Sequence, residues 1–343
     1  MAPPLVLLTG ATGLIGFRIL QELLQKTDYT VRVTVRSEEK AQIILSNPVI
    51  QRLNPGDRLT YTVVPDILAK DAFDAALNDA TYVIHTGSPV PVPDFDPLTQ
   101  VWKPTVEGTS NLLKSALKFP TIKRVLVTSS IVANMAPMPD PSITVTATSR
   151  VTLPGIPDTF SNVFEAYVLG KIMELNETDA FVEQEKPSFS VARVIPGYVY
   201  GRDGLVLSAD AAIAKGSSCG ILLRSVTGID CPAPIHGGYV HIDDLAQVYL
   251  KVLQLDPTAA GAAPHSFGAC SLVDYSDAWR IVEKNFPGAV AAGQLKQANL
   301  PTLPIAYDSS ETERSLDVQF RPFEDAVKDV VQFYLDQREA EKV

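Results

Sequence analysis

Short runs of aliphatic and β-branched residues alternate along the chain with longer segments whose apolar positions recur at helical spacing. "LVLLT" (5–9) reads as a buried strand, and "LIGFRILQELLQK" after it places Ile15, Ile19 and Leu23 on one helical stripe beside Leu20 and Leu24. Further strands are expected at 29–35, with Tyr29, Val31, Val33 and Val35 on one face, and at 59–64, 81–85, 124–129 and 189–195. Helices are expected near 38–45, 70–79, 97–118 and 162–184. Strands that alternate with helices pair in parallel and are covered on both faces, so the expectation is a doubly wound α/β sheet. After Pro196 the rhythm breaks. Residues 201–237 are rich in Gly, Ser and Pro, with one helical piece near 206–215. A short strand and a helix follow in "GGYVHIDDLAQVYLKVLQL", where Asp243 is the expected N-cap. A strand near 265–268 and helices near 275–286 and 323–338 complete the reading. Residues 1–200, rejoined by 238–268, form the expected nucleotide-binding domain, with 201–237 and 269–343 as a smaller C-terminal substrate lobe.

Composition narrows the function classes. With 46% hydrophobic and 20% charged residues, a chain of 343 carries a sizeable core. A formal net charge of −10 argues against nucleic acid, whose phosphates demand a basic face. Cys219, Cys231 and Cys270 form neither a disulfide framework nor a zinc spacing, and no His/Cys/Asp grouping has metal spacing, so no metal is expected. The first apolar run, "PLVLL", is too short for a signal core or a membrane span. The expectation is a cytoplasmic protein that needs no membrane and no obligate protein partner.

Four stretches carry chemistry. In "TGATGLIG" (9–16), Gly10 allows a tight turn, Gly13 lets backbone approach a pyrophosphate, and Gly16 lets the helix pack on the strand. The helix N-terminus then offers its N–H groups to phosphates. Three glycines alone would also suit a plain strand–helix turn; here strand, helix and second strand stand where a Rossmann-type site needs them. At the end of the second strand an NAD site places a carboxylate for the ribose, whereas this chain has Arg36, twenty residues beyond Gly16, then Lys40. A guanidinium grips a 2′-phosphate, which selects NADPH/NADP+ over NADH; the plainer reading is a solvated basic pair. Tyr167 and Lys171, four apart in "EAYVLGKIMELN", rise from one helical face. An ammonium beside a phenol stabilises the phenolate and lets the hydroxyl act as an acid near neutrality, although an i,i+4 surface pair reads the same way. Finally, "RVLVTSSIVAN" ends a buried strand in Thr128, Ser129 and Ser130, at the crevice where open α/β sheets bind ligands. Such hydroxyls hold a substrate carbonyl or merely cap backbone.

In this order the motifs resemble the extended short-chain dehydrogenase/reductases. The likeness is strongest to the branch of dihydroflavonol reductases, cinnamoyl-CoA reductases and fungal aldehyde/ketone reductases. "VIHTGSP" (83–89), "KPTVEGTSNLLKSA" (103–116), "RVIPGYVYG" (193–201) and "YVHIDDLAQVYL" (239–250) extend it over residues 5–250. The resemblance implies that Ser130 orients the substrate oxygen, Tyr167 donates the proton, and Lys171 binds the nicotinamide ribose. It implies cofactor contacts from Thr9, Gly10, Thr12, Gly13, Leu14, Ile15 and Gly16. Arg36 and Lys40 would hold the 2′-phosphate, and Asp66 and Ile67 the adenine. Thr86, Gly87, Ser88 and Thr128 would form the cofactor's floor, with Pro196 and Val199 at the nicotinamide. Pro89, Ser130, Val132 and Tyr198 would face the substrate. Three departures stand out: Gly170 replaces a common Ser, Glu165-Ala166 replaces the Asn-Trp lead-in of CoA-thioester reductases, and Thr105 replaces the Asn of sugar-nucleotide enzymes.

The implied activity is NADPH-dependent reduction of a small carbonyl compound. Its rivals are a nucleotide-sugar epimerase or dehydratase on the same fold and a non-catalytic NADP-sensing regulator. Loops 88–96, 131–141, 150–165 and 202–237 would set specificity, and the Pro- and Thr-rich, charge-poor stretch 135–157 favours a hydrophobic or aromatic substrate. His85 and His241 read as structural residues.

Overall fold

The structure is a computed structural model that describes residues 3–157, 159–214, 216–256 and 265–342. Seven strands form the central sheet: β1 (Leu5–Thr9), β2 (Thr30–Val35), β3 (Leu59–Val63), β4 (Tyr82–His85), β5 (Arg124–Thr128), β6 (Ser190–Pro196) and β7 (Ser266–Ala269). Their spatial order is β3-β2-β1-β4-β5-β6-β7, every pair parallel. The order reverses between β1 and β4, whose register sets Thr9 opposite His85. A crevice at the carboxyl ends of these two strands is the ligand position of doubly wound sheets.

Side-chain alternation divides the core in two. Val6 and Leu8 of β1 face one cluster and Leu7 the other; Leu126 of β5 opposes Val125 and Val127 in the same way. Helix α1 (Leu14–Lys26) covers the first face, and α2 (Lys103–Ala116) and α3 (Val163–Glu185) cover the second. Helix α4 (Ile242–Gln254) joins α1 on the first face. Burying each such Leu or Val stabilises the fold by about 1.5–3 kcal/mol. Arg124, at the start of β5, donates to the α4 carbonyls of Val252 (2.5 Å) and Leu255 (2.7 Å), and to Ser190 Oγ at 2.9 Å. The cation thereby caps the negative end of α4 and pins it to two strands.

A second core lies among Tyr200, Leu222, Tyr239, Tyr275, Val327 and Val330, in segments that follow β6, including α5 (Phe323–Ala340). No helix among the described residues is long and apolar enough to cross a membrane, and no group of three or more metal-ligating residues occurs among them.

Several local expectations need correction. The helix expected over 70–79 is a single turn, Asp74–Leu77, because Asp71 and Asp79 on either side take left-handed φ values of 58° and 60°. The segment Pro97–Trp102 winds as a π-helix before α2: Pro104 has no N–H to give, and Lys103 N donates to Leu98 O. Residues 201–237 hold a second helix, Ser218–Val226, whose Ser217 cap accepts from Gly220 N at 3.2 Å. Asp243 is not the N-cap of α4. His241 is, with Nδ1 accepting from Asp243 N at 3.2 Å. Asp243 lies in the first turn and pairs with Arg18 and Arg321, each at 3.0 Å.

Candidate active site

Gly10 turns the chain out of β1 with φ +75°, and Gly13 N donates to its carbonyl at 2.9 Å. Helix α1 opens at Leu14 with no side chain capping its first N–H groups and no acid in its first turn. Thr12, Leu14 and Ile15 are half-buried around this bare positive end. A Cβ on Gly16 would stand 2.3 Å from Gly10 O, so the helix rests on the turn as closely as backbone allows. Uncapped donors at a helix N-terminus fit a pyrophosphate.

Arg36 and Lys40 are exposed just beyond β2, and neither joins an ion pair among the described residues. Neighbouring carboxylates are held elsewhere: Glu38 accepts from Tyr61 at 2.7 Å, and Glu39 is hydrogen-bonded by Ser37. The cations are therefore free for a ribose phosphate. Ile67 packs under Gly108 and its carbonyl accepts from Asn111 at 3.1 Å, while Asp66 closes its own turn by accepting from Leu68 N at 2.8 Å.

The floor at 86–89 is more committed to the protein than expected. Thr86 donates its hydroxyl proton to Thr9 O at 2.7 Å, leaving that oxygen only as an acceptor. Ser88 Oγ lies 3.3 Å from Thr105 Oγ1. A Cβ on Gly87 would fall 2.9 Å from Thr9 Oγ1, so the approach of β1 by itself requires a glycine here. Thr9 Oγ1 also bonds His85 Nδ1 at 2.7 Å. His85 is buried, and burial, reinforced by the Lys171 ammonium, lowers its pKa to about 3. It is a neutral structural imidazole.

The three hydroxyls after β5 divide their tasks. Thr128 Oγ1 bonds the buried Tyr249 hydroxyl at 2.6 Å, and the Ser129 Oγ is buried without a partner among the described residues. Ser130 is half-buried, and among the described residues its Oγ meets no partner. Val132 packs in the same small apolar cluster as Tyr167. Helix α3 is capped by Asn162, which accepts from the N–H groups of Phe164 and Glu165, both at 3.0 Å. One turn on, Tyr167 is half-buried with no hydrogen bond among the described residues. Lys171, by contrast, is only 2% exposed, which excludes a surface pair. Its Nζ donates to Thr128 O at 2.9 Å and to the two oxygens of Glu174 at 3.2 and 3.1 Å.

Tyr198 closes the other side. Burial first, and the charge of the Tyr167 phenol second, raise its pKa, and its ring stacks on Tyr200 at 6.5 Å. Pro196 ends β6, and Val199 is 5% exposed and packs into the main core. Pro89 is half-buried beside the exposed Val90.

Spacing did not reveal Glu174, Thr109 or Tyr249, the partners that hold Lys171 and Thr128. A carboxylate three residues after a candidate lysine, on a helix with Val168, Ile172 and Leu175, is a signal that would have marked Glu174. His236 was missed too: its ring stacks on Phe164 at 6.2 Å, one turn before Tyr167.

A bare helix N-terminus at the switch point of a parallel sheet, with a buried lysine and the unpartnered hydroxyls of Ser130 and Tyr167 after β5 and on α3, defines a Rossmann-type protein. The profile described as "NAD dependent epimerase/dehydratase family" matches residues 6–263, and the chain belongs to that family, within the extended short-chain dehydrogenase/reductases. Ketoreductase CTB6 of Cercospora nicotianae is 35% identical, covering 98% of this chain and 96% of that protein. A putative NADPH-dependent methylglyoxal reductase, GRP2 of Candida albicans, is 28% identical over 95% of this chain and 97% of its own. Yeast methylglyoxal/isovaleraldehyde reductase Gre2, solved with NADPH, superposes with a TM-score of 0.79 at 25% identity, covering 98% of this chain and 99% of that one.

Proposed function

We propose that the protein is an NADPH-dependent reductase of a ketone or aldehyde, with Ser130, Tyr167 and Lys171 as its catalytic group. The observation that carries this reading is the sorting of polar groups around β5. Lys171 is buried under the Thr128 carbonyl, while the nearby hydroxyls of Ser130 and Tyr167 are left without protein partners. The names of the relatives, a ketoreductase and NADPH-linked aldehyde reductases, agree with it.

Gly10, Gly13 and the first N–H groups of α1 would hold the pyrophosphate, and Arg36 with Lys40 the 2′-phosphate. When bound, NADPH supplies the hydride that reaches the carbonyl carbon. Tyr167 gives its hydroxyl proton to the carbonyl oxygen. Ser130 donates a hydrogen bond to that oxygen and stabilises the charge developing there. Lys171, held from beneath, stabilises the phenolate that remains on Tyr167.

The substrate lobe comprises 201–237 and 269–343 in this reading, with 1–200 and 238–268 as the nucleotide-binding domain. Exposed Val90, Met138, Ile143, Ile156 and Leu207 in the surrounding loops favour a hydrophobic or aromatic carbonyl compound.

Replacing Tyr167 by Phe tests the assignment. NADPH oxidation with a panel of aromatic and aliphatic ketones is expected to fall by about 10²–10⁴-fold, while NADPH binding by fluorescence titration stays unchanged. Undiminished turnover in Tyr167→Phe would refute the mechanism. Retention of NAD+ by the purified protein, with no NADPH consumption, would favour the epimerase reading instead.

A further inference from the structure

Among the described residues, Glu174 is the one buried acid at this site that the mechanism above does not use. Its side chain is 0% exposed, and it lies on α3 three residues beyond Lys171. Both carboxylate oxygens take hydrogen bonds from Lys171 Nζ, and Thr109 Oγ1 on α2 donates to Oε1 at 3.1 Å. The single hydroxyl proton of Thr109 is shared between this oxygen and Thr105 O, 2.9 Å away. Burial pushes the carboxyl above its usual range; the Lys171 ammonium and the Thr109 hydroxyl pull it back. An acid so deeply buried is tolerated where a cation and several donors surround it.

We propose that Glu174 is a positioning residue for Lys171: it fixes the ammonium beneath Thr128 and offsets part of the positive charge that Lys171 presents to the Tyr167 phenol. Of the three N–H bonds of Lys171, one goes to Thr128 O and at least one to Glu174, so no more than one remains for a ribose hydroxyl. The other titratable groups facing the pair carry no charge near neutrality. His85 on β4 is kept neutral, and burial raises the pKa of Tyr249 on α4. The hydroxyls of Thr109 on α2 and Ser129 after β5 are uncharged. Glu174 is thus the group that sets how strongly Lys171 favours the phenolate.

This inference rests on Tyr167 being the proton donor, and its test separates the two. Carbonyl reduction needs the phenol protonated, so its rate falls at alkaline pH; alcohol oxidation needs the phenolate and falls at acid pH. In Glu174→Gln the ammonium is uncompensated and the phenol yields its proton earlier. Measured in single turnover, the alkaline limb of reduction and the acid limb of oxidation both move toward acid by about one pH unit. The isosteric Thr109→Val, which makes Glu174 easier to protonate, moves both limbs the same way by less. A merely structural role lowers rates and leaves the limbs in place, and unmoved limbs in folded Glu174→Gln overturn the proposal. If that variant does not fold by circular dichroism, Thr109→Val decides: a shift supports the proposal and none overturns it. Tyr167→Phe is run alongside. Activity surviving in it overturns the proton-donor reading itself, whereas an inactive Tyr167→Phe with unmoved limbs overturns only the role of Glu174.

Discussion

The glycine turn at 9–16 and the lysine seam around Lys171 are built from opposite materials. The turn works by what is missing: no side chain caps α1, and no Cβ on Gly16 keeps the helix from the strand. The seam works by what is present: an ammonium, a carboxylate, two carbonyls and a hydroxyl, drawn from β5, α2 and α3 and all buried. Backbone geometry of the first kind is local and tolerates no added atom. A side-chain network of the second kind is assembled across the fold, and loses strength in steps as partners are removed.

The sharpest way to break that contrast is Gly16→Ala. A Cβ pressed within 2.3 Å of a backbone oxygen forces the turn apart, costing about 1–3 kcal/mol of stability and most NADPH affinity, measurable by melting and by titration. If NADPH binds Gly16→Ala as before, the turn is not the phosphate site. Arg36→Ala comes next. Losing a charge-assisted contact of about 1.5–3 kcal/mol should weaken NADPH roughly 10- to 100-fold while NADH is almost unaffected. Equal losses for both cofactors would remove Arg36 from the 2′-phosphate.

The seam's neighbours give smaller effects. His85 has a folded pKa near 3 against 6.5 unfolded, so the unfolded chain takes up the proton first. Its contribution is intact above pH 6.5 and declines as pH falls toward 3. Urea midpoints across that window should fall less steeply for His85→Gln than for the parent; parallel curves would mean another group governs acid loss. Smallest is Tyr249→Phe, which strands Thr128 Oγ1 at a cost of about 1 kcal/mol without changing the pH limbs. A moved limb there would extend the seam's electrostatics to α4.

What was legible follows the same division. Strand positions fell within a residue of the observed ones because parallel strands buried on both faces are short apolar runs. The glycine turn was legible because three glycines at fixed spacing encode backbone shape. Helix Ser218–Val226 was hidden by Ser, Cys and Gly at its start, residues whose propensity favours loops until a cap and a core recruit them. The packing of Gly87 against Thr9, and the bond from Thr86 to the Thr9 carbonyl, join positions nearly eighty apart and were not legible. The pairing of Glu174 with Thr109 joins positions 65 apart, and hydrogen bonds of that kind leave no periodic trace.

Arg124 gives the fold a kinetic character as well. Its guanidinium reaches carbonyls 128 and 131 positions later in the chain, so this cap closes only after β5, β6 and α4 have assembled. If the cap closes after the transition state, Arg124→Ala speeds unfolding while leaving the folding rate nearly unchanged, which stopped-flow chevrons would read. The lifetime of the intact sheet, and with it the persistence of the crevice at its other end, is then governed in part by one cation at the edge farthest from the chemistry.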